Sequence, residues 1–328
     1  MSEKIQDFNY GLIEDPRIFA EGRLSARAAF EAYPNQETYA DGASHGTNPL
    51  RVSLNGLWKF HYALNLGQLI DGCMEDSYDC AEWGSIRVPG HIQLQGHGIP
   101  QYVNTMYPWD GHEELAVGEV PQMFNPVGTY VRYFDLPQGW TDDQVLIRFN
   151  GVESAYALWL NGTYIGYATD TFTPSEFDLS SALREGENKL TVQVFRFSAS
   201  SWAEDQDFFR FSGIYRDVEL LRVPSTSLWD YTIRTDLNED FTVAKVRFLP
   251  IIQAPVEEAA TLKLRLLDID NEIIAEVEGD VETTELIIDV DNPLLWSAEH
   301  PNLYGLEIEL VDGAGTTVSY HVETVGIR

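Results

Sequence analysis

Gln144-Val-Leu-Ile-Arg-Phe-Asn-Gly-Val-Glu-Ser-Ala-Tyr-Ala-Leu-Trp-Leu-Asn-Gly162 contains two short apolar runs, each closed by Asn-Gly. The runs are rich in aromatic and β-branched residues, and Asn-Gly supplies the positive backbone φ angles that tight hairpins need. The rhythm continues on both sides, in Leu57-Trp-Lys-Phe-His-Tyr62 after Asn55-Gly56, Lys189-Leu-Thr-Val-Gln-Val-Phe-Arg-Phe197 and Tyr215-Arg-Asp-Val-Glu-Leu-Leu221. Short alternating runs separated by turn dipeptides predict an antiparallel β-sandwich from Ser53 onward. A boundary is expected near Val223-Pro-Ser-Thr-Ser227, where proline stops a strand. Beyond it, Thr261-Leu-Lys-Leu-Arg-Leu-Leu267, Ile273-Ile-Ala-Glu-Val277, Leu286-Ile-Ile-Asp-Val290, Tyr304-Gly-Leu-Glu-Ile-Glu-Leu310 and Val318-Ser-Tyr-His-Val322 recur at the spacing of an immunoglobulin-like sandwich. The expected fold class is therefore all-β, with one sandwich over residues 51–223 and an immunoglobulin-like one over 224–328. Residues 1–50 show no period of 2 or 3.6 and are expected to form an extended arm laid over a neighbouring surface.

Bulk properties narrow the function. The 328 residues suffice for two ordinary domains, and 44% hydrophobic with 22% charged residues is a globular composition. Twenty-one Lys and Arg against 52 Asp and Glu give a net charge of −31, which repels phosphates and argues against a nucleic-acid partner. No stretch has the length of a membrane span, so no membrane partner is expected. The start Met1-Ser-Glu-Lys-Ile-Gln-Asp-Phe-Asn-Tyr10 lacks a secretory pattern, so a cytoplasmic location is expected. On that reading the sequon Asn161-Gly-Thr163 is a hairpin turn rather than a glycan site, and Cys73 and Cys80 are expected to stay reduced.

Two segments carry candidate chemistry. Ser200-Ser-Trp-Ala-Glu-Asp-Gln-Asp-Phe-Phe-Arg-Phe-Ser-Gly-Ile-Tyr-Arg-Asp-Val218 places Glu204, Asp205 and Asp207 together, flanked by aromatic residues. Carboxylates accept hydrogen bonds from sugar hydroxyls and aromatic faces cover the C–H faces of a pyranose, so a sugar site is one reading. A charged turn closed by Arg210 and Arg216 is the other. The stretch from Pro100 to Gly128 is too long for a hairpin, and its aromatics Tyr102, Tyr107, Trp109 and Phe124 favour an ordered, functional loop. The spacing of His91, His97 and His112 fits neither a helical pair nor a zinc ligand set.

The run Glu204-Asp-Gln-Asp-Phe-Phe-Arg-Phe-Ser-Gly-Ile-Tyr-Arg-Asp-Val218 closely resembles a specific signature of glycoside hydrolase family 2 β-galactosidases. Val88-Pro-Gly-His-Ile-Gln-Leu-Gln-Gly-His97, Tyr102-Val-Asn-Thr-Met-Tyr-Pro108, Asn125-Pro-Val-Gly-Thr-Tyr130, Pro174-Ser-Glu-Phe-Asp-Leu179 and Pro293-Leu-Leu-Trp-Ser-Ala-Glu-His-Pro-Asn-Leu-Tyr304 are similar to further landmarks in the same order. The resemblance implies a sugar-binding, galactose-binding-like jelly roll followed by the immunoglobulin-like domain, both normally attached to a catalytic TIM barrel. It implies that Asp207 reaches into the barrel's galactose pocket, contacting a sugar hydroxyl and sharing in a sodium site. A second pocket residue comes from the long loop, where many relatives carry an Asn before Pro-Pro. This sequence departs there, reading Tyr107-Pro-Trp-Asp-Gly-His-Glu-Glu114, and leaves Asp110 or His112 for the part, with Asp110 preferred because a carboxylate accepts from two hydroxyls. Sodium and magnesium are implied for the complete enzyme, with no magnesium ligand assigned in this portion. The implied partners are a β-galactoside and the barrel, in a parent that could be a homo-oligomer joined through the N-terminal arm.

Retaining glycoside hydrolysis needs two carboxyl groups roughly 5 Å apart. In the family both are barrel glutamates, and a barrel needs about 250 residues of alternating strand and helix, a pattern this sequence lacks. The expectation is an N-terminal, non-catalytic portion of a β-galactosidase, inactive alone. The alternatives are a stand-alone carbohydrate-binding module, the same region of a β-glucuronidase or β-mannosidase, or a self-sufficient hydrolase built on Glu204, Asp205 and Asp207.

Overall fold

The structure is a computed structural model that describes residues 8–205, 207–255 and 259–328. The chain divides into two compact units, one of residues up to Ala26 with Val52–Arg222, the other of Arg27–Arg51 with Val223–Arg328. Residues before Phe8, which include most of the N-terminal stretch read for targeting, lie outside the described residues, as does Gln206.

The first unit is a jelly-roll β-sandwich. Its larger sheet runs in the order Ala20–Glu21, Thr163–Ala168, Ala155–Leu160, Glu187–Phe195, Val127–Asp135, Gly56–Ala63, Gly84–Val88. A smaller sheet runs Ser175–Asp178, Gln144–Phe149, Val218–Val223, Arg51–Ser53. Ala155-Tyr-Ala-Leu-Trp-Leu160 is buried throughout because both faces of its sheet are covered. Tyr156, Leu158 and Leu160 enter the main core with Trp58, Phe149 and Phe177, while Ala155, Ala157 and Trp159 face a second cluster with Phe8, Ile13 and Tyr167. Period 2 is therefore intact, and each large side chain so buried contributes about 1.5–3 kcal/mol.

The Asn-Gly pairs at 150–151 and 161–162 behave differently. Asn161 (φ 51°) and Gly162 (φ 81°) form the expected hairpin turn between Ala155–Leu160 and Thr163–Ala168. Asn150-Gly151 is not such a turn, and that expectation is corrected. Neither residue has a positive φ, and the chain passes instead to Val152–Glu153, which pairs with Gly213–Ile214. Glycine is needed at 151 for space, since a Cβ there would lie 2.9 Å from Arg216 Cδ and from the Tyr215 ring.

The second unit is the immunoglobulin-like sandwich. Ser227–Leu237, Val243–Gln253 and Leu286–Asp291 form one sheet, and Ile273–Asp280, Ala260–Leu267, Tyr304–Asp312 and Thr317–Val325 the other. Leu262, Leu264 and Leu266 point inward and alternate with Lys263 and Arg265. Residues 27–51 are not uniformly extended. Tyr33 bridges to Tyr320, and Gln36–His45 is an α-helix opened by an Asn35 and Thr38 capping box and closed by Gly46 at φ 69°.

Candidate functional site

Glu204 is the last residue of the short helix Ser201–Glu204, and Asp207 leads into Phe208–Arg210, which pairs with Gln101–Val103. This two-stranded ribbon joins the two candidate segments of the sequence, with Phe209 opposite Tyr102 and Phe208 opposite Val103. Asp207 stands at the turn with φ 52°, a left-handed conformation unusual for a residue with a side chain. Asp207 is exposed, and the Tyr102 hydroxyl donates to its Oδ1 at 2.6 Å.

The base of the ribbon is built from buried charge. Arg210 is 1% exposed and forms ion pairs with Asp205, with Glu153 at 3.3 Å and with Glu204 at 3.8 Å. Burial pushes the Glu153 carboxyl up, against the pull of Arg210. Burial also pushes Glu204 up to about 7, opposed by Arg210 and by the Thr171 hydroxyl, which donates to it at 3.3 Å. Arg196, likewise buried, donates to the carbonyls of Ile99 (3.1 Å) and Arg210 (3.2 Å) and to Gln101 Oε1 (2.8 Å). One arginine thus neutralises the carboxylates and the other ties both strands of the ribbon to the jelly roll.

The charged-turn reading describes two of the three carboxylates. Glu204 and Asp205 belong to the charged turn, closed by Arg210. Among the described residues Arg216 pairs with no carboxylate, and it donates to the carbonyls of Phe172 (2.8 Å) and Asn150 (3.4 Å). Asp207 alone of the three carboxylates is presented at the surface.

The long loop is ordered by aromatic packing. Trp109, Val120 and Phe197 are buried together, with Tyr107, Phe124 and Trp202 against them. Tyr107 stacks on Trp109 at 4.9 Å and donates to the Trp202 carbonyl at 3.1 Å, while Trp202 Nε1 donates to the Glu119 carbonyl at 2.8 Å. Trp202 lies in the helix that precedes Asp207, so the loop and the carboxylate run share an anchor. Asp110 is exposed and its carboxylate accepts the Tyr107 N–H at 2.9 Å, closing its own turn. His112 is exposed, with its N–H donated to the Trp109 carbonyl. Sequence reasoning missed Glu113, which organises the loop by accepting the N–H groups of Gln122, Met123 and Phe124. Burial opposes its charge, but those three bonds outweigh it and hold its carboxyl below the usual range. Glu153 was missed as well, because its partner Arg210 is 57 residues away in a chain whose pairing cannot be read locally.

The histidines separate. His91 stacks on Tyr215 at 5.2 Å with Nδ1 3.8 Å from Glu153, and His97 packs on Phe60 at 4.8 Å. Among the described residues no three His, Cys, Asp or Glu side chains are grouped to hold a metal ion. Both cysteines are buried and free.

The architecture that carries the site is thus a jelly roll presenting a carboxylate on an aromatic ribbon, followed in the chain by an immunoglobulin-like sandwich. Residues 51–224 match the sugar-binding domain of the glycosyl hydrolases family 2, and residues 226–328 match the next domain of that family. The chain belongs to glycoside hydrolase family 2. It is 42% identical over 322 residues to a β-galactosidase of Halalkalibacterium halodurans, covering 98% of this chain and 32% of that protein. It is likewise 42% identical to a β-galactosidase of Clostridium acetobutylicum, covering 96% of this chain and 35% of that protein. The chain thus spans about a third of the length of these relatives. A solved β-glucuronidase of Bacteroides uniformis shares the fold with a TM-score of 0.67 at 21% identity, over 85% of this chain and 32% of that one.

Proposed function

We propose that this chain is the N-terminal, non-catalytic portion of a β-galactosidase that hydrolyses terminal β-D-galactosides such as lactose with retention. Its part is to shape the galactose pocket of a barrel supplied by the rest of the protein. The observation that carries the reading is Asp207, an exposed carboxylate fixed in a left-handed turn above a buried ion cluster. A carboxylate has capacity for about four hydrogen bonds, so the bond from Tyr102, the one its side chain makes among the described residues, leaves room for a sugar hydroxyl. Asp110, on the loop anchored through Trp202, is the second substrate contact in this reading.

Asp207 fits a sodium ion as one oxygen ligand only, since no neighbouring acidic or imidazole side chain is grouped with it among the described residues. The remaining oxygens, and any magnesium ligands, would come from outside this chain. Bound there, sodium would offer a hard cation to a sugar hydroxyl. The neutral substrate suits the net charge of −31. We propose a cytoplasmic location, with no nucleic-acid or membrane partner. No helix among the described residues is long and apolar enough to cross a membrane.

Glu204 and Asp205 do not serve as an acid and nucleophile here, because both are committed to Arg210 and Asp205 is fully buried. The test is Asp207→Ala in the complete gene product. The reading expects a higher KM and a lower kcat for a chromogenic galactoside, and wild-type values would refute it.

A further inference from the structure

The ribbon pairs Phe209 with Tyr102, and Tyr102 reaches past that pair to Asp207 at the turn. Tyr102 is 53% exposed, so burial does not hold its hydroxyl in place. Two side chains do. Its ring packs on Phe209 at 4.9 Å, and its hydroxyl donates to Asp207 Oδ1 at 2.6 Å. Phe209, Tyr102 and Asp207 thus link the strand Gln101–Val103 to the turn that carries the exposed carboxylate. An exposed carboxylate at the end of a turn otherwise rotates freely about its side-chain bonds, and a donor on one oxygen fixes the plane that presents the other.

We propose that Tyr102 is the positioning residue for Asp207, orienting its carboxylate toward the sugar through its hydroxyl while its ring is held against Phe209. The proposal rests on the reading that Asp207 contacts the sugar. The bond to Asp207 explains why an aromatic hydroxyl stands on an exposed strand, where apolar contact alone would be met by phenylalanine.

The test has two arms. In the complete gene product, kcat/KM for a chromogenic galactoside is measured for Tyr102→Phe, Asp207→Gly and the double variant. Glycine at 207 keeps the positive φ without strain, and phenylalanine at 102 keeps the ring contact with Phe209. Removing the supporting partner of a working group typically costs about 10–100-fold, so Tyr102→Phe is expected to lose roughly tenfold. The double variant is expected to match Asp207→Gly alone, because Tyr102 acts through that carboxylate. Effects that multiply, or wild-type kinetics in Tyr102→Phe beside an impaired Asp207→Gly, overturn the positioning role. An unimpaired Asp207→Gly overturns the sugar contact instead.

The second arm uses the 328-residue chain without substrate, labelled with ¹³C at the tyrosine ring carbon bearing oxygen. The Tyr102 hydroxyl donates to Asp207 Oδ1 at 2.6 Å. Its resonance at neutral pH, assigned by its loss in Tyr102→Phe, is expected to shift in Asp207→Gly, where the hydroxyl has lost its acceptor. An unchanged shift means the hydrogen bond does not form, and overturns the proposal whatever the kinetics show.

Discussion

Replacing Arg210 with methionine isolates what the buried ion cluster contributes. The side chain is 1% exposed and faces Glu153, itself 5% exposed, and Asp205, which is fully buried. Methionine fills similar volume, so the loss is chiefly of charge. Removing one member of a buried ion cluster leaves its partners uncompensated and costs about 3–5 kcal/mol. For a unit of about 200 residues, each kcal/mol shifts the melting temperature by about 2–4 °C, so the first unit is expected to melt on the order of 10 °C lower. Urea denaturation followed by fluorescence of the eight tryptophans gives the free energy directly. Two controls separate charge from packing. Arg216→Met, in the same motif but exposed and bonded only to carbonyls, is expected to cost under about 1 kcal/mol. Adding Glu153→Gln, Glu204→Gln and Asp205→Asn to Arg210→Met is expected to restore most of the loss, because every carboxylate that Arg210 paired is then neutral. Equal costs for Arg210→Met and Arg216→Met, or no recovery in the fourfold variant, would refute the cluster's assigned role.

Glu204, held up at about 7 by burial, is more protonated folded than unfolded, so its contribution is present below its unfolded value near 4.5 and lost as pH rises toward 7. Glu204→Gln is therefore expected to flatten the pH dependence of the first unit between about 4.5 and 7, read by denaturation at each pH. His321 is fully buried between Phe30 (4.6 Å) and Tyr231 (5.6 Å), with burial lowering it to about 3. Neutral imidazole is required there, so the second unit is expected to lose stability, on the order of several kcal/mol, as pH falls from about 6.5 toward 3. His321→Phe removes that slope, and an unchanged acid profile in the variant would sink the assignment. Lys189 donates to the carbonyls of Cys73, Glu75 and Tyr78, so Lys189→Met is expected to expose Cys73 and Cys80 to a thiol reagent that leaves the native chain unmodified. With a net charge of −31, the chain is expected to melt higher as salt is raised from about 0.01 to 0.5 M, and a flat response would show that self-repulsion is not felt.

The fold was legible where one face of a strand was apolar, as in Thr261–Leu267, or where both were, as in Ala155–Leu160. Ser227–Leu237 and Val243–Gln253 were harder to read, because charged residues fall at outward positions and Pro250 interrupts the second. Proline is tolerated there since Phe248 is the last residue paired to Leu286–Asp291, so no partner on that side requires its N–H. The helix Gln36–His45 buries only Gly42, which leaves no apolar stripe to detect, and its one local signal is the Asn35 and Thr38 capping box. At the site, the residue types were legible but their partners were not. Asp207 was singled out by resemblance, whereas the strand pairing that brings Tyr102 beside it joins residues 105 apart and depends on register.

In the function proposed, the jelly roll helps to shape a pocket whose reacting carboxyl groups are supplied by the rest of the protein. Incubating the purified 328-residue chain with o-nitrophenyl β-galactoside tests this most directly. No release of nitrophenol above the buffer rate is expected, whereas turnover that Asp207→Ala abolishes would contradict the account.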